Sequence, residues 1–267
     1  MSSERIRQCN LSPPFKRAGK FQAFLDYYSL AKYNDPNAPA IFFGLHDFDY
    51  DIEKVLMHKS LAVLIWTGGD SLKKKHLLIT RKLKHVKHIA ISSFIEQDLK
   101  KWRIDYKFLP IRGNPIDAID ASPLGNEIYT YIPIKSKKKN RRRYGGDVVK
   151  ALIHRCKFKI NVISSTNEYK QGKLLQIYKR CFCGLRFTSH DGLSNTIVEM
   201  GLMGRRSFTN DKKFPFAISW NRKNIDEIVD NINLEAKKIG TISSDVAEAV
   251  RDYVSIGDAW LYTKFWK

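Results

Sequence analysis

Between residues 189 and 204 the chain reads SHDGLSNTIVEMGLMG, and its residue types fit an anion site. Gly192, Ser194 and Asn195 allow a tight turn with its amides exposed. The helix predicted to follow opens with unpaired N–H groups and a positive dipole end, which suit a phosphate. Two acids bracket the turn. Asp191 precedes it, and Glu199 falls in the first turns of the helix, where it can accept hydrogen bonds from sugar hydroxyls. TIVE (196–199) also matches a capping box that needs no ligand, with Thr196 as N-cap and Glu199 reaching back to its amide. Gly201 and Gly204 are poor helix residues and predict a close approach of the helix to something.

Other stretches compete for chemistry. HDFDYD (46–51) clusters Asp47, Asp49 and Asp51, as a hard cation would require. It lacks the glycine of a calcium loop and a marked distant acid, so a solvated loop and helix start is predicted and no metal is assigned. His46 stands at the end of a predicted strand, either as a ligand-site residue or as an ordinary histidine. In WTGGDS (66–71), Gly69 could admit a ligand to the backbone beside Asp70, and a plain turn with Asp70 or Ser71 as helix cap is the alternative. Cys9, Cys156, Cys181 and Cys183 have neither disulfide-framework nor zinc spacing and read as small buried hydrophobes. No dinucleotide fingerprint, phosphate loop or nucleophile elbow is present. The run KSKKKNRRR (135–143), near Tyr129, Tyr131 and Tyr144, fits a diphosphate, an anionic lipid surface or nucleic acid, or is simply solvated.

These residues need a scaffold, and the chain alternates short apolar runs with helix-period segments, the pattern of an α/β fold with mostly parallel sheets. Strands are predicted at 38–47, 61–69, 86–92 and 106–110, with helices at 51–58, 71–83 and 93–103 between them. A Pro/Gly-rich stretch interrupts the series. It restarts with strands at 127–134, 157–164, 183–189 and 206–210 and helices at 145–156, 173–181, 224–238 and 242–254. The expected division is an N-terminal domain (1–112), a linker (113–126), a C-terminal domain (127–250) and a tail (251–267) packing back on the first domain. Two such units predict a cleft, and the opening stretch sits at the carboxyl end of a strand, where open α/β sheets bind ligands.

The 267 residues are 43% hydrophobic and 28% charged, which excludes a disordered chain. No apolar run reaches membrane-spanning length, and the start lacks the apolar core of a secretory signal. A cytoplasmic protein, with membrane association on the cytoplasmic face as an option, is expected. The formal charge of +20 implies an anionic partner without choosing among nucleic acid, membrane and phosphorylated substrate.

The spacing Asp191–GLSNTIV–Glu199 resembles the donor-site motif of retaining GT-B glycosyltransferases: an acid, a Gly, a small-residue loop, and Glu opening a helix. IYKRC (177–181) looks like that family's Y-x-x-small segment, and EMGLMGRRSFTN like its Gly and following strand. The order of elements from 127 to about 235 fits. The family's usual first acid is Glu, and Asp191 is shorter. The resemblance implies a compact GT-B architecture of two Rossmann-like domains facing a cleft, and transfer of a sugar from a nucleotide sugar to a glycan, lipid or protein acceptor with retention and without metal or other cofactor. Carried over by position, Glu199 would bind ribose and Asp191 the donor sugar. Amides and side chains from Gly192, Leu193, Ser194, Asn195 and Thr196 would meet sugar and diphosphate. Arg143 and Lys135 would stabilise the leaving diphosphate, with His46, Gly69 and Asp70 on the acceptor side. A basic nucleic-acid-binding α/β protein, including a sugar transferase acting on DNA, is the rival reading, and an inactive GT-B binding module is the third.

Overall fold

Two runs, AIFF and AVLIW, are apolar without alternation, as parallel strands buried on both faces must be. In the computed structural model, which describes residues 3–17, 21–112, 119–132, 142–163 and 171–267, they form β3 (Ala40–Phe43) and β4 (Ala62–Trp66), buried throughout. The chain divides into two compact units: residues 1–115, 191–193 and 254–267 form the first, and 116–190 and 194–253 the second.

The sheet of the first unit is wholly parallel and has six strands. β1 (Gln8–Leu11) and β2 (Ala31–Lys32) join β3, β4, β5 (Val86–Ala90) and β6 (Tyr106–Phe108) in the order β2-β1-β3-β4-β5-β6. The sequence reading finds only the last four. It misses β1 because Gln8 and Asn10 break the apolar run, although both are buried. Their polar groups are satisfied internally: the Gln8 amide donates to the Asp35 and Ala38 carbonyls at 2.6 and 3.0 Å and accepts from the Asn34 amide at 3.0 Å. Helices α1 (Pro13–Arg17), α2 (Gln22–Tyr27), α3 (Glu53–Met57), α4 (Lys74–Thr80) and α5 (Ser93–Lys101) connect the strands. Ser92 caps α5 by accepting from the Ile95 amide at 3.4 Å. Residues 254–267 belong to the same unit: the Ile6 amide donates to the Leu261 carbonyl at 2.6 Å, and Trp260 packs edge-on against Tyr28.

The second unit holds a four-stranded parallel sheet, β7 (Glu127–Tyr131), β8 (Ile160–Ile163), β9 (Cys181–Leu185) and β10 (Arg206–Phe208), in the order β10-β9-β7-β8. With it go α6 (Gly146–Ile153), α7 (Gln171–Lys179), α8 (Asn195–Leu202), α9 (Ile225–Ala236) and α10 (Ser244–Val254). Ile128, Leu152, Phe182, Cys183, Phe208 and Ile232 are fully buried in its core. Residues 119–126 are folded into this unit, with Leu124 donating its amide to the Thr241 carbonyl at 2.9 Å and Gly125 to that of Cys181 at 3.2 Å. Among the described residues no helix is long and apolar enough to cross a membrane.

One core contact sets an acid sensitivity. On β5, His88 is buried and its Nδ1 accepts the Trp66 indole N–H at 3.1 Å, so its proton sits on Nε2. Burial pushes its pKa from 6.5 down to about 4. Between those values the unfolded chain takes up a proton that the native state refuses, so stability falls as pH falls, by about 3 kcal/mol at full titration. His58 and His76, also pushed down by burial, act in the same direction. His88→Gln, which keeps an acceptor for Trp66, should flatten the decline in urea-unfolding free energy between pH 7 and pH 4.5 relative to the parent. An unchanged slope would remove His88 as the source.

Candidate functional site

In an open parallel sheet the crevice forms where the strand order reverses, at the carboxyl ends of the two strands flanking the reversal. In the second unit those strands are β7 and β9. The Thr130 hydroxyl of β7 donates to the Leu185 carbonyl of β9 at 3.1 Å. Beyond the strand ends, the Arg186 guanidinium lies over the rings of Tyr131 and Tyr144 at 5.8 and 5.4 Å. The Ser189 amide donates to the carbonyl of Arg143 at 3.2 Å, bringing that half-buried arginine's backbone to the loop after β9. Gly145 follows with φ +72°, and a Cβ there would stand 2.2 Å from that of Phe187, so only glycine admits the loop this close to the start of α6.

The helix after the loop begins two residues earlier than the capping box requires. Ser194 is the N-cap of α8, its hydroxyl makes no capping bond, and no acid occupies the first turn. Thr196 therefore lies inside the helix and Glu199 in its second turn, which corrects the capping-box reading. Glu199 is buried at 5% exposure. Burial pushes the phenols of Tyr129 and Tyr178 up, and both rings, 4.9 Å apart edge to face, sense the Thr196 side chain and the Glu199 charge. A carboxylate thus stands among hydroxyl groups beyond a bare helix start, at the reversal point of the sheet. Gly201, inside α8, and Gly204, two residues past its end, both have packing reasons. A Cβ on Gly201 would meet the Val250 side chain of α10 at 2.7 Å, and Gly204 takes φ +87° with its Cβ position 2.9 Å from the Ser243 carbonyl.

The expected site residues divide. Arg143, Ser194, Asn195, Thr196 and Glu199 belong to the second unit, while Asp191, Gly192 and Leu193 cluster with the first. In that unit the Ser92 hydroxyl donates to the Asp191 carbonyl at 2.9 Å, and a Cβ on Gly192 would stand 2.4 Å from the Thr67 carbonyl. The Asp191 carboxylate accepts from the Gly192 amide at 3.0 Å. Lys135 lies outside the described residues, as does most of the basic run.

The first unit has its own reversal, between β1 and β3, and His46 stands there. Its amide donates to the Ser12 hydroxyl at 3.1 Å, its Nε2 pairs with the Thr67 hydroxyl at 2.8 Å, and its ring packs edge-on against Phe15. Asp70 is fully buried and structural: its carboxylate accepts from the amides of Leu45, Thr67 and Ser71 and from the Thr67 hydroxyl at 3.0–3.2 Å. Those donors fill a carboxylate's acceptor sites. Gly69 is half-buried with open space where a side chain would stand. Asp51 is equally internal, accepting from the Ser12 hydroxyl at 2.5 Å and the Asp47 amide at 2.9 Å, with its pKa raised by burial. Asp47 accepts from the Tyr50 amide at 3.1 Å, as a helix cap does. Among the described residues no group of three or more His, Cys, Asp or Glu side chains is arranged to hold a metal ion.

Sequence reasoning misses Arg205, which fixes the frame of the second-unit site. It is fully buried, and its guanidinium donates to the carbonyls of Tyr178, Lys179 and Cys181 at 3.2–3.3 Å, of Ser122 and Pro123 at 2.9 and 2.6 Å, and of Met203. The only sequence signal is that it directly follows Gly204 ahead of β10. Arg205→Lys keeps the charge but cannot span these acceptors. The orphaned carbonyls should destabilise the protein by about 4 kcal/mol or more, read by urea unfolding, whereas Arg206→Lys should cost far less.

No protein-family model matches the chain, and no curated protein matches it by sequence. Solved structures do match in fold. S. aureus TarM, in a complex with fondaparinux, alpha-GlcNAc-glycerol and UDP, aligns with TM-score 0.56 and 13% identity over 81% of this chain and 52% of that one. A sucrose-phosphate synthase from Thermosynechococcus elongatus aligns with TM-score 0.57 and 11% identity over 90% of this chain and 73% of that one. The chain thus spans about half the length of the TarM structure. What it shares with both is the fold: α/β units on parallel sheets.

Proposed function

We propose that the chain is a compact GT-B glycosyltransferase that moves a sugar from a nucleotide-sugar donor, with retention and without metal. The observation that carries this reading is the buried Glu199 on α8, beyond a helix start with no capping side chain, at the strand reversal of the second unit. That the matched TarM structure holds UDP supports the donor class. In this reading the Glu199 carboxylate accepts hydrogen bonds from the vicinal ribose hydroxyls. Ser194, Asn195 and Thr196, at the helix start, meet the diphosphate. Asp191 holds the donor sugar's hydroxyls, with the amides of Gly192 and Leu193 beside it. As the bond from the anomeric carbon to the diphosphate breaks, negative charge grows on the leaving oxygen, and Arg143 and Lys135 stabilise it. The acceptor hydroxyl attacks from the same face and gives its proton to the departing phosphate. On the acceptor side the proposal retains His46 and Gly69, with Asp70 holding the loop ends that carry them.

The test begins with UDP and a panel of UDP-sugars in calorimetry. Glu199→Gln should bind them roughly tenfold to a hundredfold more weakly, the value of hydrogen bonds to a charged group. Equal binding by a variant that unfolds at the parent temperature would refute the donor site. A chain that binds the donor yet releases no sugar in any acceptor mixture would be the inactive module. Neutralising Arg141, Arg142 and Arg143 should weaken nucleoside diphosphate binding more than duplex DNA binding, and the opposite order would favour the nucleic-acid reading.

A further inference from the structure

A second basic site lies at the other edge of the same sheet. Arg155 and Lys157 follow α6, and Phe158 leads into β8, so all three stand at the amino ends of the parallel strands. The candidate donor residues stand at the carboxyl ends, about 16 Å away along a five-residue strand. On α9 and its C-cap residue, Asn233, Ala236 and Lys237 fall at i, i+3 and i+4 and so share one face. Together these six residues line an open cavity of about 540 Å³.

The lining has a definite chemistry. Three side chains are cationic, one is an amide, and no carboxylate is among them. Phe158 gives the cavity a half-buried ring, fixed edge-on to the core residue Phe182 at 5.0 Å, and the Lys157 ammonium stands 5.3 Å from that ring. Arg155 pairs with Asp226 at 2.6 Å, but both side chains are more than half exposed, at 51% and 86%. Such a pair contributes little, so an incoming dianion can take the guanidinium over. A cavity of this size exceeds what a bare ion needs and admits a group that carries its charge on a ring or chain lying against Phe158.

We infer that this cavity is a phosphate-binding site, separate from the proposed donor site, which takes a phosphomonoester borne on a small organic group. Arg155, Lys157 and Lys237 hold the phosphate oxygens, Asn233 donates its amide, and Phe158 packs the organic part. Two sources present this chemistry, a soluble phosphorylated metabolite and a lipid headgroup. Ile153, Leu234 and Ile239, exposed at 52%, 52% and 37% and each within two residues of a lining residue, make the second worth a separate arm.

The experiment uses the full chain with inorganic pyrophosphate and glucose 6-phosphate in calorimetry, and with vesicles of phosphatidylcholine, alone or containing phosphatidic acid, in sedimentation. Two variants probe the site. Arg155→Glu/Lys157→Glu/Lys237→Glu reverses its charge, and Asn233→Trp fills the cavity from an exposed helix position without changing net charge. Lys59→Glu/Lys82→Glu/Lys84→Glu, exposed in the first unit, controls for total charge. Circular dichroism and thermal unfolding confirm that each variant is folded. Binding of the soluble phosphates that both site variants weaken roughly tenfold or more, and the control does not, supports the proposal with a metabolite as source. The same pattern seen only with phosphatidic acid vesicles supports it with a lipid as source. Binding that persists in Asn233→Trp, that the control weakens equally, or that is absent in both arms overturns it.

Discussion

The second unit is organised around a guanidinium with no carboxylate for a partner. Arg205 is fully dehydrated, and its charge is balanced by carbonyl dipoles, among them those at the carboxyl-terminal ends of α7 and α8. Helix ends of this polarity favour a cation, and the planar fork meets acceptors in several directions at once. Burial still lowers its pKa, to about 10, because the charge has lost its hydration. The return is positional. The same five N–H groups fix residues 122–123, the end of α7, the start of β9 and the end of α8 relative to one another. The start of β9 and the end of α8, the elements on either side of Ser194, Asn195, Thr196 and Glu199, are thus tied to one side chain.

The class of fold is legible in the sequence because parallel strands buried on both faces leave unbroken apolar runs, and all the strands predicted from such runs are present. Strands that carry polar residues inward leave no such mark. Gln8 and Asn10 serve loop carbonyls and a buried carboxylate, so β1 reads as a loop although it sits inside the sheet. Helix starts fail for a related reason. The capping box at Thr196 is a correct chemical pattern in a place where the backbone has already turned helical at Asn195. Of the candidate site, the acid, the loop and the glycines can be read from spacing. That Asp191 to Leu193 group with residues far away in sequence, Ser92 and Thr67, cannot be, since no local pattern encodes a contact nearly a hundred residues apart.

Carboxylates show how little a residue type says before its partners are known. Asp51 and Asp70 look from sequence like metal or acceptor-site residues, standing just past the ends of β3 and β4. Both are internal, and both are occupied by amides and hydroxyls from the loops that follow β1, β3 and β4. They shape the reversal point of the first sheet by tying its loops together. His46 is held in that tied region by Ser12 and Thr67, which makes it the first-unit candidate whose position the loops define most closely.

The net charge of +20 likewise resolves into distinct physical roles. Arg205 is consumed in the core. Arg206 is anchored to the buried Glu235 at 2.7 Å, and Lys238 shares that carboxylate. Glu127 at the foot of β7 gathers Lys159 and Arg180, and the hydrogen bond from Lys159, with that from Asn161 and the Arg180 charge, holds its carboxyl below the usual range. Among the described residues, Arg143 and Arg186 lie beyond the carboxyl ends of the second sheet's strands, and Arg155, Lys157 and Lys237 surround the cavity at the amino ends. A single polyanion tracking across the surface would call for a continuous stripe of uncompensated cations. The two described groups stand at opposite ends of one sheet, with the salt bridges of Glu127 at the amino end, and under the proposed function a nucleotide diphosphate engages only the first group.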